Sequence, residues 1–172
     1  MEYFDLFSLP VQLQVDKKLL RARYLELSRK YHPDYFANEE LGVQQDALDA
    51  TARLNAALKT LSNTDETIRY VLAQKGLLEQ DEKYKLGNDF LMEMMDINEA
   101  AADLQFDPDP EAQQKINAQI NQIGHEIYAP VQPIVEGYQE GVTTQEELLQ
   151  VKDYYFRKKY LERLQQQLGG MH

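Results

Sequence analysis

The residue most able to do chemistry in this sequence is His32, which stands in the tripeptide His32-Pro33-Asp34. An imidazole is a common general base, but no serine, cysteine or carboxylate lies in a recognisable nucleophile arrangement with it. Pro33 instead predicts a tight exposed turn, from which His32 can donate and Asp34 can accept a hydrogen bond. We therefore interpret the tripeptide as a recognition loop and predict no catalytic residue. The simpler alternative is a plain turn between two antiparallel helices.

Metal chemistry has little support in the composition. The chain contains no cysteine, so it has neither a disulfide nor a thiolate metal site. His125 lies in the middle of a predicted helix near Glu126, and no pair of Glu-x-x-His motifs accompanies it, as a di-metal site in a helical bundle requires. We expect His125 to be a solvated or core histidine, and we expect no metal and no cofactor.

The tripeptide loop is positioned by the helices on either side of it. The helix before it begins at Asp16, an N-cap residue, and ends at Pro33, because proline pushes the preceding residue out of the helical conformation. Between Lys17 and Lys30 it carries six Lys and Arg residues and one acidic residue, a net charge of +5. Such a surface favours an acidic protein partner. The helix after the loop is predicted over about 39–61.

The remaining pattern is also helical, since Gly and Pro are sparse and strand-like alternation is nearly absent. A short first helix is predicted over about 5–9, and a fourth over 66–75, ended by Gly76. Further helices are predicted over 88–106, from about 111 onward, and from Thr143-Thr144 to about 168. Pro130 and Pro133 should kink or break the middle one of these three. We predict an all-α fold with one domain over 1–76, a linker over 77–87, and a three-helix bundle over 88–172.

Charge separates the two halves of the chain. Residues 1–75 have a net charge of −1, whereas residues 76–172 have a net charge of −10. The acidic second half argues against nucleic-acid binding, because phosphate contacts need cations. No apolar run approaches the roughly 18 residues that span a bilayer, and the first residues lack the layout of a secretion signal. We expect a cytoplasmic protein.

The helix predicted over 88–106 has two apolar faces. At about 100° per residue, one face carries Phe90, Met94, Ile97, Ala101 and Leu104. The opposite face carries a second apolar set with acids interleaved; these residues are Leu91, Met92, Met95, Phe106, Asp96, Glu99 and Asp103. A bundle helix needs one buried stripe, so the second face indicates a binding partner, and methionine-rich surfaces suit adaptable protein contacts. The alternative is a central helix that buries both stripes.

The order of these features resembles a J-domain co-chaperone. A basic amphipathic helix ends at His32-Pro33-Asp34 and a longer helix returns, which is the J-domain hairpin with short flanking helices. The opening segment 2–10, Tyr35-Phe36 after the loop, and the segment Phe90-Leu91-Met92-Glu93 together resemble the bacterial HscB family of iron–sulfur cluster assembly, and the likeness covers essentially the whole chain.

The resemblance implies two partners and two sets of binding residues. In that family the J-domain stimulates ATP hydrolysis by an HscA-type chaperone of the DnaK class, which places chaperone binding at His32, Pro33, Asp34, Arg21, Arg23, Tyr24, Arg29 and Lys30. The carboxy-terminal bundle binds the IscU-type iron–sulfur scaffold, which places scaffold binding at Leu91, Met92, Met95, Asp96, Glu99, Asp103 and Tyr155. The family implies neither nucleic acid nor membrane as a partner.

Some residues depart from the family pattern. Tyr155 stands where a phenylalanine is expected, and we weigh core and interface roles equally for it. Met95, Asp96 and Asp103 replace a leucine and two glutamates, and Thr67-Ile68 replaces an Arg-Ala pair. A second function class stays open, a J-domain protein of general protein folding, although the Gly/Phe-rich segment and zinc sites common in that class are absent from the sequence.

Overall fold

The structure, a computed structural model that describes residues 1–169, contains α-helices and one 3₁₀ helix as its regular elements in that range. The all-α prediction is confirmed. The chain forms two compact units. Unit 1 comprises Met1–Leu78 and Tyr138–Thr143, and unit 2 comprises Glu79–Gly137 and the chain from Thr144 onward. The segment 138–143, which the sequence predicted within the second domain, therefore belongs to unit 1.

Contacts to Lys75 explain why the segment 138–143 belongs to unit 1. Lys75 Nζ donates to Glu140 Oε1 at 2.7 Å and lies 5.9 Å from the centroid of the Tyr138 ring. The Tyr138 hydroxyl donates a short hydrogen bond to the other carboxylate oxygen of Glu140. The Lys75 ammonium holds the pKa of Glu140 below its usual value, and the Glu140 carboxylate raises the pKa of Lys75. Local periodicity carries no sign of such a long-range pair.

Unit 1 is built around a helical hairpin. Its elements are α1 (Glu2–Leu6), α2 (Lys17–Tyr31), the 3₁₀ helix Pro33–Phe36, α3 (Leu41–Leu61) and α4 (Thr64–Gln74). The helices α2 and α3 pack against each other.

Two contacts show that the hairpin is antiparallel. The Tyr24 hydroxyl donates to Asn55 Oδ1 at 2.7 Å, and the Thr51 hydroxyl, further toward the start of α3, reaches the carbonyl of Tyr31 at the end of α2. The unit closes over a core of fully buried side chains, among them Phe4, Phe7, Leu13, Leu20, Leu61, Ile68 and Leu72.

The ends of the unit 1 helices follow local capping chemistry. Asp16 caps α2 as predicted, accepting from the amides of Lys18 and Leu19. Gly76 has φ +72°, and the amide of Leu77 reaches the carbonyl of Leu72, which closes α4 in a Schellman motif. The first helix was predicted over about 5–9, but α1 spans Glu2–Leu6, so this prediction was wrong by a few residues. A Schellman motif also ends α1, with Ser8 at φ 52°.

Unit 2 contains α5 (Asn88–Phe106), α6 (Pro110–Tyr128), α7 (Gln132–Gly137) and α8 (Gln145–Gly169). The predicted bounds of α5 match the structure. The middle helix is broken rather than continuous: α6 stops at Tyr128 and the short α7 follows. Pro133 is then the second residue of α7. Backbone N–H groups in the first turn of a helix have no acceptor within the helix, so proline costs no hydrogen bond there.

The core of unit 2 lies between α5, α6 and α8 and consists of Leu86, Phe90, Met94, Ile97, Ala101, Ile116, Ile120, Ile123, Leu161, Leu164 and Leu168. A capping box starts α8 as predicted: Thr144 and Glu147 each accept from the other's backbone amide.

A polar network fastens the segment before α5 to α8. The Tyr84 hydroxyl donates to Asp153 at 2.8 Å, and Lys152 Nζ lies 2.8 Å from Glu82 Oε2. Burial and the Asp153 carboxylate raise the pKa of Tyr84 to about 12. The side chains of Lys152 and Glu82 are largely shielded from water, and the Lys152 ammonium lowers the pKa of Glu82.

Candidate interaction surfaces

The tripeptide loop is an exposed turn with a fixed internal geometry. His32 ends α2 in an extended conformation, with φ −60° and ψ 129°, and Pro33 begins the 3₁₀ helix. His32 Nδ1 accepts from the amide of Asp34 at 3.2 Å, and the His32 carbonyl accepts from the amide of Tyr35 at 3.1 Å. Nδ1 also lies 3.5 Å from the Asp34 carboxylate. An ion pair there would need a proton on Nδ1, which could then no longer accept from the Asp34 amide.

The amide contact is the shorter of the two contacts to His32 Nδ1, so we assign the ring proton to Nε2. His32 then offers one N–H donor, and the exposed Asp34 offers carboxylate acceptors. The exposed ring of Tyr35 stands edge-on to the imidazole, with centroids 6.2 Å apart. Tyr35 contributes to the family resemblance but was not predicted as a binding residue, and its exposure in the structure adds it to this surface.

Two side chains of α3 hold the loop in position. The Thr51 hydroxyl lies 3.2 Å from the carbonyl of Tyr31 and 2.9 Å from that of Ala47. The Gln44 amide donates to the carbonyls of Ala37 and Glu39, at 3.2 and 2.8 Å. The chain is thus tied to α3 both before and after the tripeptide.

The predicted chaperone-binding residues of α2 fall into two groups. Arg21, Arg29 and Lys30 are exposed and free of any ion pair shorter than 4 Å within the described residues. Arg23 and Tyr24 are half-buried and have structural partners: Arg23 donates to the carbonyl of Phe7 at 3.5 Å, and Tyr24 donates to Asn55. The first three side chains are therefore open to solvent. Arg23 instead ties α2 to the segment after α1, and Tyr24 ties α2 to α3.

The second candidate surface is the outer face of α5. Met92 and Met95 are 64% and 59% exposed, and the predicted acids Asp96, Glu99 and Asp103 are exposed beside them. Phe106, at the end of the same helix, is 89% exposed. Leu91 is half-buried and packs against the unit 2 core. The second stripe is thus left open to solvent except at Leu91, and the alternative in which α5 buries both stripes is wrong.

Tyr155 is buried, unlike the exposed residues of this face. Its side chain is 7% exposed, its ring meets Phe156 edge-on with centroids 5.2 Å apart, and the Lys159 ammonium lies 5.5 Å from its centroid. Tyr160 of α8 reaches α5, and its hydroxyl accepts from the Asn98 amide at 3.4 Å. Asn98 follows Leu91 by seven residues, so the two side chains lie on the same side of α5. Which residue of α8 meets this side depends on how α8 packs against α5.

No group of three or more His, Asp and Glu side chains in residues 1–169 is arranged to hold a metal ion. His125 is exposed on α6. No helix among these residues is both long enough and apolar enough to cross a membrane.

Known proteins resemble the chain along nearly its whole length. A family model described as the HscB C-terminal oligomerisation domain matches residues 87–169. A co-chaperone protein HscB homolog from Shewanella pealeana is 32% identical over 170 residues, which cover 98% of this chain and 95% of the relative. The chain belongs to the HscB co-chaperone family. The family acts in iron–sulfur cluster assembly, and its members here are named as co-chaperones rather than enzymes.

Other HscB relatives agree in sequence or in fold. The co-chaperone protein HscB of Proteus mirabilis is 33% identical over 112 residues, 64% of this chain and 65% of the relative. The chaperone HscB from Vibrio cholerae superposes with a TM-score of 0.76 at 26% identity, covering 98% of this chain and 96% of that one. The human co-chaperone HscB, at 23% identity, shares the fold with a TM-score of 0.81, covering 98% of this chain and 81% of that one. An HscB fold, a J-domain joined to a helical bundle, is thereby confirmed.

Proposed function

We propose that this protein delivers an IscU-type iron–sulfur scaffold to an HscA-type ATPase chaperone and stimulates the chaperone's ATP hydrolysis, which promotes maturation of iron–sulfur proteins. The observation that carries the proposal is that each unit offers one exposed, chemically distinct surface. Unit 1 has the His32 loop with unpaired cations, and unit 2 has the methionine-rich, acidic face of α5. A two-partner adaptor needs such a pair of surfaces, and membership of the HscB family supports it.

The chaperone surface comprises the loop and the free cations of α2. Arg21, Arg29 and Lys30 would steer an acidic partner toward the loop, and His32 and Asp34 would then make directed hydrogen bonds. Nothing in the loop is arranged as a nucleophile with its base, so hydrolysis belongs to the partner and the loop acts by binding. Pro33 and the Gln44 contacts fix the shape of the loop before the partner arrives, which lowers the entropy lost on binding.

The scaffold surface comprises the outer face of α5. Burying Met92 and Met95 removes apolar area from water, and the flanking acids Asp96, Glu99 and Asp103 select a partner with cations in matching positions. Leu91 supports this surface from below, since it packs against the unit 2 core. Tyr155, which is buried, would contribute by holding the fold of unit 2 rather than by direct contact.

The setting follows from relatives and composition. The relatives from Shewanella and Proteus are bacterial, and the chain contains no cysteine, which fits a reducing compartment. We place the protein in the bacterial cytoplasm, with neither nucleic acid nor membrane as a partner.

The test uses purified full-length protein, an HscA-type chaperone and an IscU-type scaffold. We expect His32→Gln to leave the scaffold affinity unchanged and to abolish stimulation of the chaperone ATPase in steady-state assays. His125→Gln is the matched control, because His125 is also an exposed histidine but lies on α6. Stimulation that survives in His32→Gln would refute the role of the loop.

A second variant tests the scaffold surface in the same preparation. We expect the Met92→Ala/Met95→Ala double variant to keep its circular dichroism spectrum and to weaken scaffold binding in calorimetry by about 2–4 kcal/mol, the range of truncated interface anchors. Leu91 is left intact because its truncation would also disturb the core. Unchanged affinity in the double variant would show that the scaffold binds elsewhere.

A further inference from the structure

Phe106 is a large apolar side chain that the fold leaves almost wholly in water. It is 89% exposed at the last residue of α5, whereas Phe4, Phe7 and Phe90 are buried. Scattered exposed apolar residues are common on protein surfaces, so exposure by itself indicates nothing. The position of Phe106 on α5 and the charges around it instead indicate a binding residue.

Phe106 continues the outer face of α5. Phe106 follows Met95 by eleven residues and Met92 by fourteen, close to three and four turns of helix. At about 100° per residue it leaves α5 about 20° from Met95 and about 40° from Met92, so the three side chains span about 60° of the helix surface. At 1.5 Å per residue Phe106 lies roughly 17 Å beyond Met95 and 21 Å beyond Met92 along the axis. Between the apolar ends the exposed positions of this face carry Glu99 and Asp103.

The backbone at Phe106 is held in place. The amide of Asp107 donates to the carbonyl of Asp103 at 3.0 Å, which closes α5. Asp109 then caps α6 by accepting from the amide of Glu111 at 3.0 Å. Pro108 in the intervening turn and Pro110 at the first position of α6 restrict the backbone further. An exposed anchor on such a turn loses little conformational entropy when a partner covers it.

We propose that Phe106 is a second apolar anchor of the surface that docks the scaffold. The inference rests on the proposed function, which it deepens. The partner's footprint then runs along the whole outer face of α5, with two apolar sites about 17–21 Å apart and a basic patch between them. The charge of this segment indicates which partner binds there. Residues 88–111 contain eight acids and neither Lys nor Arg, so the partner must supply the cations.

The same charges disfavour a second copy of this chain as the occupant. A two-fold dimer through this face would set each acidic segment against its own copy, because an isologous interface pairs a surface with itself. Like charges brought together at an interface oppose binding.

The experiment is calorimetric titration of the full-length protein with an IscU-type scaffold, together with sedimentation velocity of the protein alone. We expect Phe106→Ala to raise the dissociation constant about tenfold, as truncation of an aromatic anchor does, and Phe106→Leu to restore part of the affinity. Leu149→Ala is the matched control: Leu149 is an exposed apolar residue of α8, and its truncation should change affinity less than about threefold.

The outcomes separate this inference from the function on which it rests. If Met92→Ala/Met95→Ala weakens binding while Phe106→Ala equals Leu149→Ala, the second anchor is wrong and the scaffold surface stands. If the folded wild-type protein does not bind the scaffold, the proposed function fails and this inference fails with it. A dimer in sedimentation that Phe106→Ala dissociates would assign the anchor to self-association and overturn the inference.

Discussion

Met92 and Met94 stand two residues apart on α5 and face opposite ways, so truncating each in turn tests the two-faced character of this helix. Met94 is fully buried in the core formed with α6 and α8, and Met92 is 64% exposed. Met94→Ala deletes three heavy atoms from a packed site, and such truncations cost about 2–5 kcal/mol. Met92→Ala deletes the same atoms from the surface, where substitutions usually stay within about 0.5 kcal/mol.

These costs convert into measurable shifts of the melting temperature. For a unit of this size, 1 kcal/mol corresponds to a shift of roughly 4–8 °C. A loss of about 3 kcal/mol in Met94→Ala therefore lowers the melting temperature of unit 2 by roughly 12–24 °C. Met92→Ala should lower it by less than about 4 °C. The scaffold affinity should show the reverse order, with the larger loss in Met92→Ala.

The assay must report on unit 2 alone, because two units need not unfold together. The chain has no tryptophan, so hydrogen–deuterium exchange of peptides from α5, α6 and α8 replaces fluorescence as the local probe. Exchange in these three helices should accelerate in Met94→Ala and stay at the wild-type rate in Met92→Ala. Equal destabilisation by the two substitutions would refute the assignment of Met92 to a free surface.

Two further perturbations test the polar contacts. Glu82→Gln removes the partner of the shielded Lys152 and should cost about 1–2 kcal/mol at neutral pH. The ion pair lowers the pKa of Glu82, so its stabilisation is full above the ordinary glutamate pKa of 4.5 and fades as the pH falls through the lower folded value. The free energies of unfolding of the wild type and Glu82→Gln, measured by urea denaturation, should therefore converge in acid. A difference in stability that persists in acid would contradict the reasoning. Gln44→Ala should speed hydrogen–deuterium exchange at residues 36–40 and reduce ATPase stimulation severalfold, while the melting temperature changes by less than about 4 °C. Unaltered exchange at residues 36–40 would show that the contacts of Gln44 to Ala37 and Glu39 do not order the loop.

Elements with local signals could be predicted from the sequence. Asp16 and the Thr144–Glu147 pair cap α2 and α8 because a side chain within three residues supplies the missing hydrogen-bond partner. Gly76 ends α4 because it tolerates the left-handed conformation. The two faces of α5 follow from helical periodicity, which places Met92 opposite Met94 whatever the helix packs against.

Features that depend on distant parts of the chain could not be predicted in this way. The contact of Lys75 with Glu140 joins residues 65 positions apart, and it decides that segment 138–143 belongs to unit 1. The burial of Tyr155 and the contact of Tyr160 with Asn98 depend on how α8 is rotated against α5. Thr67 is fully buried, and its hydroxyl donates to the carbonyls of Thr60 and Asn63, a pairing that only the packed unit shows.

The chemistry of α5 makes its two faces respond differently to salt. The inner face packs by apolar burial, which added salt does not screen, so the stability of unit 2 should change little between low and moderate ionic strength. The outer face carries acids and lacks cations, and the attraction to a basic partner weakens once the Debye length falls to about 8 Å at physiological ionic strength. A scaffold affinity that falls with salt while the denaturation midpoint stays constant is therefore expected. Loss of affinity together with stability would mean that binding depends on the fold of unit 2 rather than on the charges that α5 presents.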